Sequence, residues 1–143
     1  YTMKTLSKTA TAKEKALKLF LELDTIEEAQ ELIESGDYSV FTDEEADEAA
    51  REYILQSLWA FNADFIAGHT RGGYSDDLVE SIKALQKQCE GVNDAIFSMI
   101  EDLGHFVDEA ISCDGRGHFM NSYDGEENEQ HIDGETFYIY RNN

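Results

Sequence analysis

Apolar positions recur at helical spacing through most of the chain and alternate at strand spacing only near its end. Ala16, Leu17, Phe20 and Leu23 form the first apolar stripe, predicting a helix over residues 11–23. Thr25 with Glu28 reads as a capping box that opens a short helix, and Gly36 stops it. Residues 38–41 read as a short extended connector. Thr42 with Glu45 is a second capping box. From it Ala46, Ala50, Ile54, Leu58, Phe61 and Phe65 follow at i+4 and i+3, predicting one long helix that Gly68 ends. His69 to Tyr74 is a loop. Ser75 caps the next helix, whose inner edge is Leu78, Ile82 and Leu85 and whose stop is Gly91. Asn93 caps the last, which runs through Ile96, Ile100, Leu103, Phe106 and Val107 to Ile111, with Gly104 as a weak point inside it.

After Cys113 the period changes. Asp-Gly pairs at 114–115, 124–125 and 133–134 mark tight turns between extended segments at 117–123, 128–132 and 135–141. Phe137-Tyr-Ile-Tyr140 is the strongest strand by composition. The expected class is α+β, dominated by about five helices, with a small C-terminal antiparallel β-meander. Neither a repeat nor a linker interrupts the chain. The expectation is a single globular domain over residues 1–143, with residues 1–10 as a flexible basic leader.

Composition supports a globular chain: 41% of the 143 residues are hydrophobic and 11% aromatic. No apolar run approaches the roughly 18–20 residues that span a bilayer, and the polar, basic start does not resemble a signal peptide. These readings imply a cytoplasmic protein in which Cys89 and Cys113 are reduced thiols. Charge changes the picture most. Residues 1–19 hold five lysines against Glu14 alone, a net of +4, so the rest of the chain carries −24 of the total −20. Such a surface repels nucleic acid and anionic membranes and attracts basic proteins.

The carboxylates fall in columns. Glu44, Glu48 and Glu52 recur at i+4 on the long helix, opposite its apolar stripe, about 6 Å apart along the axis. Glu27, Glu31 and Glu34 form a similar column on the preceding helix. Like charges at this spacing destabilise a helix by roughly 0.2–0.5 kcal/mol each, so selection for stability alone would break them with lysines. Duplex DNA presents a phosphate about every 3.4 Å along each strand, and a rigid rod of carboxylates can compete for the same groove. Asp124, Glu126, Glu127, Glu129 and Asp133 form a further acidic cluster in the β segment; their spacing does not fit an EF-hand, and the expectation there is a solvated hairpin rather than a cation site.

Other chemistry is sparse. His105 and Glu109 share a helix face and, with Asp108 and His118, could hold a divalent metal, although no HExxH or Cys-x-x-Cys accompanies them. The acidic neighbourhood of Cys113 disfavours a thiolate nucleophile. No catalytic residue, metal or cofactor is therefore expected. Trp59 and Phe61 cannot point the same way on one helix, which leaves one of them for a second surface.

The segments Ser57-Leu-Trp-Ala-Phe-Asn-Ala-Asp-Phe65, Gly115-Arg-Gly-His-Phe-Met-Asn-Ser-Tyr-Asp-Gly-Glu-Glu-Asn-Glu129 and Phe137-Tyr-Ile-Tyr-Arg141 resemble a group of small acidic proteins of bacteriophage genomes, over roughly the second two-thirds of the chain. The resemblance implies a phage origin, and hence the cytoplasm of a host bacterium, but no active site. The chain does not carry the sequence patterns of the phage DNA-mimic antirestriction proteins. Together, charge and resemblance lead to the expectation of an acidic inhibitor that mimics DNA. It would bind the basic nucleic-acid-binding surface of a host defence protein, as anti-CRISPR and antirestriction proteins do. Glu27, Glu31, Glu34, Glu44, Glu48, Glu52, Asp124, Glu126 and Glu127 would meet the partner. The alternatives are a non-catalytic phage accessory or structural oligomer, joined through Trp59 and the aromatic strand, and a small metal-dependent hydrolase using His105, Glu109 and His118.

Overall fold

The computed structural model describes residues 10–143; of the basic leader expected over residues 1–10, only Ala10 falls among them. Among the described residues are eight α-helices and three strands, an α+β arrangement dominated by helix. In chain order they are α1 (Ala12–Leu21), α2 (Ile26–Glu34), β1 (Tyr38–Phe41), α3 (Asp43–Gln56), α4 (Ala63–Gly68), α5 (Asp76–Gln86), α6 (Asn93–Met99) and α7 (Leu103–Asp114). After them come α8 (Arg116–Met120), β2 (Asn128–Ile132) and β3 (Glu135–Arg141). Contacts gather into two units: the chain up to Ala50 together with Gly115–Asn143, and Arg51–Asp114.

In the first unit α1 and α2 each start at a capping box, Thr11 with Glu14 and Thr25 with Glu28. Both helices pack on an antiparallel sheet of order β1-β3-β2. Ala16, Leu17 and Ala29 from the helices bury against Val40, Phe137 and Ile139 from the sheet, with Phe20, Leu32 and Ile33 closing around them. Each large apolar side chain removed from water here stabilises the unit by about 1.5–3 kcal/mol. Asp133 and Gly134, with φ of 50° and 81°, make the two-residue turn between β2 and β3 that an Asp-Gly pair favours.

The expected third strand over residues 117–123 does not form. Gly115 turns with φ 83° and the chain re-enters a helix, α8. The edge of β3 that this segment would have taken belongs to β1, with Tyr38 opposite Arg141 and Phe41 opposite Tyr138. The supposed connector at 38–41 is therefore a strand of the sheet.

The second unit buries Ile54, Leu58, Ile66, Ile82, Ile96 and Phe106 completely. The apolar stripe read as one helix up to Phe65 is broken after Gln56. Its cause is Asn93, which is not a helix cap: its amide donates to the Leu55 carbonyl (2.8 Å) and its carbonyl accepts the Trp59 N–H (3.2 Å). Those backbone groups are thereby diverted from the helical ladder, and Leu58–Ala60 forms a single 3-10 turn. Asn62 then caps α4 by accepting the Phe65 N–H at 3.0 Å. The expected last helix is likewise two, since Ile100 is extended (ψ 127°) and pairs with Thr70, and Asp102 restarts the helix by accepting the His105 N–H. Among the described residues no helix is long and apolar enough to cross a membrane.

Candidate functional site

The acidic columns lie on the outside of their helices. On α2, Glu27, Glu31 and Glu34 are exposed while Ala29 is fully buried. On α3, Glu44, Glu48 and Glu52 are exposed while Ala46, Ala50 and Ile54 are fully buried. Other glutamates of these helices serve the fold. Glu28 closes the α2 capping box. Glu45 accepts the Thr42 N–H (2.9 Å) and pairs with Lys13 (2.7 Å). Lys13, and then the Thr42 N–H, hold the Glu45 carboxyl below its ordinary range. Among the described residues no lysine or arginine lies within ion-pair distance of Glu27, Glu31, Glu34, Glu44, Glu48 or Glu52.

The third acidic group is divided. Asp124, Glu126 and Glu127 sit in a tight loop rather than a free hairpin. Buried Asn121 organises that loop, accepting the N–H groups of Tyr123 and Asp124 (both 3.0 Å) and donating to the Glu126 carbonyl (2.9 Å). Asp124 itself accepts the Glu126 N–H. Asp124 and Glu126 keep exposed side chains, but Glu127 has an internal role. It accepts hydrogen bonds from Arg116 Nε (2.8 Å) and from the Tyr140 hydroxyl.

Arg116 is the hub of the face of the sheet opposite α1 and α2, and nothing in the sequence pattern singled it out beyond a Gly-Arg-Gly turn. Its side chain is only 10% exposed and also reaches Asp43 and Asp47 on α3, both at 2.9 Å. Its guanidinium carbon stands 4.7 Å from the centre of the Tyr138 ring. Burial alone would lower its pKa, but the bonds to Glu127 and Asp43 outweigh it and hold the group charged. Burial, and then the bond to Glu127, push the Tyr140 hydroxyl well above the usual phenol range. Glu127 is thus tied into the fold through Arg116 and Tyr140, a role that Asp124 and Glu126 do not share.

The histidines regroup. His118 does not join His105 and Glu109; it is exposed on α8 with its ring against Phe119. Asp108 does not join them either. Their partner is His69, which follows α4 in what reads from sequence as a plain loop. His69 Nε2 lies 2.9 Å from one oxygen of Glu109, and His105 Nε2 lies 3.4 Å from the other. The potential donor atoms of all three are within 4.8 Å of one another, beside a cleft of about 370 Å³.

Features expected to support oligomerisation are largely internal. Phe137 and Tyr140 of β3 are buried, Trp59 is half-buried, and Phe61 packs 5.5 Å from Phe106. Cys89 and Cys113 are free thiols, both exposed. No protein-family model, curated protein or solved structure matches the chain.

Proposed function

We propose that the chain is a phage-encoded acidic inhibitor, working in the bacterial cytoplasm by occupying a basic nucleic-acid-binding surface of a host defence protein. One observation carries the reading. Exposed carboxylates line two helices at helical repeat, while the cations among the described residues pair elsewhere or not at all. Each column costs helix stability, and a binding role explains why it is kept. The negative field of such columns would steer a basic partner on approach and exclude nucleic acid itself. Restriction enzymes and CRISPR effectors have grooves of the required sign.

The test is retention of host proteins on the immobilised chain at low and high salt, followed by elution with duplex DNA. A mimic loses its partner steeply as salt rises and yields it to DNA. The triple variant Glu31→Lys, Glu44→Lys, Glu48→Lys should bind far less. Retention that ignores salt, DNA and charge reversal alike would remove the reading.

A further inference from the structure

His69, at the end of α4, and His105 and Glu109, both on α7, lie in the second unit, and the backbone fixes their approach. The His69 carbonyl accepts the Glu101 N–H at 3.0 Å, and neighbouring Thr70 bridges to Ile100, so the end of α4 is pinned to the segment that leads into α7. One turn apart on α7, His105 and Glu109 then face it. The His69 and His105 ring centres are 5.3 Å apart, and Phe106 stands against His69 at 5.1 Å. His69 is 10% exposed, Glu109 45% and His105 62%, so the set runs from an apolar floor to an open rim.

From this geometry we propose a transition-metal site, with His69, His105 and Glu109 as its protein ligands and Zn²⁺ the ion that fits it. Two imidazoles and a carboxylate are donors suited to zinc rather than to calcium or magnesium. Ligand bonds of about 2.0–2.2 Å in tetrahedral geometry place donor atoms about 3.3–3.6 Å apart. The separations of 2.9 and 3.4 Å from the carboxylate oxygens already lie near that value. The whole set spans up to 4.8 Å, so rotation of Glu109 together with an inward turn of the exposed His105 ring would bring both nitrogens and one oxygen to a common centre. Asp102 lines the same cleft but does not belong to the converging donor set, and one of its oxygens accepts the His105 N–H. Three protein ligands leave a position open to the cleft, which water fills.

The inference uses none of the residues of the acidic helices and stands apart from the proposed function. It is tested by titrating the metal-free full chain with Zn²⁺, by calorimetry and by thermal unfolding, with excess Ca²⁺ present to occupy unspecific carboxylates. One saturable Zn²⁺ per chain is expected, with a rise in unfolding temperature. Loss of even an outer-shell partner costs about 10–100-fold in metal affinity, so His105→Ala and Glu109→Gln should each weaken binding at least about tenfold. Both positions are open enough to change without disturbing the fold, and the circular dichroism of each variant checks that. Glu44→Gln with Glu48→Gln should leave the affinity unchanged. Zn²⁺ binding that Ca²⁺ abolishes, or that survives both His105→Ala and Glu109→Gln, overturns the site.

Discussion

A Cβ atom on Gly117 would stand 2.5 Å from the carbonyl oxygen of Gly125, closer than real side chains approach. The backbone of Glu126 and Glu127 is only 2.7 Å from the same point. These obstacles are main chain, which cannot swing aside. Gly117→Ala should therefore cost about 3 kcal/mol, at the upper end for overpacking, and shift the urea midpoint accordingly. A shift of less than about 1 kcal/mol would mean that α8 and the loop are not in contact in solution.

Arg116→Ala removes the only cation among the described residues of a cluster in which Asp43 and Asp47 can turn to water but Glu127 is only 30% exposed. The loss should be about 2–3 kcal/mol, because a charge-assisted bond goes and Glu127 is left poorly solvated. Arg116→Lys should recover only part of it, since an ammonium cannot span both sides as the planar fork does. Chemical denaturation of both variants decides this, and equal stability of Lys and Arg would exclude the fork's role.

Alkaline pH should weaken the fold through Tyr140. Its pKa is raised in the folded state by burial and by the Glu127 acceptor. Its contribution is thus complete below the unfolded value of about 10 and is lost as pH rises beyond it, at up to about 1.4 kcal/mol per pH unit. Denaturation curves on either side of that value should show the decline in the native chain and a smaller one in Tyr140→Phe. Identical slopes would separate Tyr140 from the effect. At the acid end Glu45 acts with the opposite sign: its lowered pKa adds stability above the ordinary carboxyl range, lost as pH falls. Being 46% exposed, it adds little.

Glu48→Lys should strengthen α3 by about 0.5–1 kcal/mol, because two like-charge neighbours at four-residue spacing become opposite pairs. The same change should weaken capture of a basic partner. A variant that folds better and binds worse would show that the column is kept for binding; unchanged binding would reduce it to a solvated face.

Local signals carried much of the fold into the sequence. The boxes at Thr25 and Thr42 and the Ser75 cap are visible there because each is settled within four residues. The box at Thr11 follows the same rule. What stayed hidden depends on distance along the chain. Asn93 breaks the long helix from 38 residues away by bonding Leu55, and His69 meets Glu109 across 40. No periodicity encodes such meetings, so a histidine only 10% exposed reads from sequence as a loop residue. The columns of exposed glutamate were legible because helical repeat alone places them. The bonds of Glu127 to Arg116 and Tyr140 are not legible in the sequence, because they are set by the tertiary fold.

The strand order also fixes a sequence of events in time. β3 lies between β1 and β2, and the bond from Asn142 to Ser39 joins positions 103 residues apart. During synthesis β1 must wait, without its neighbour, until nearly all the residues that follow it here have left the ribosome. Arg51–Asp114, being continuous, can gather its own core meanwhile. Closing β1 on β3 therefore requires a contact of high sequence separation, which slows folding, and like charge on the chain opposes edge-to-edge pairing between copies.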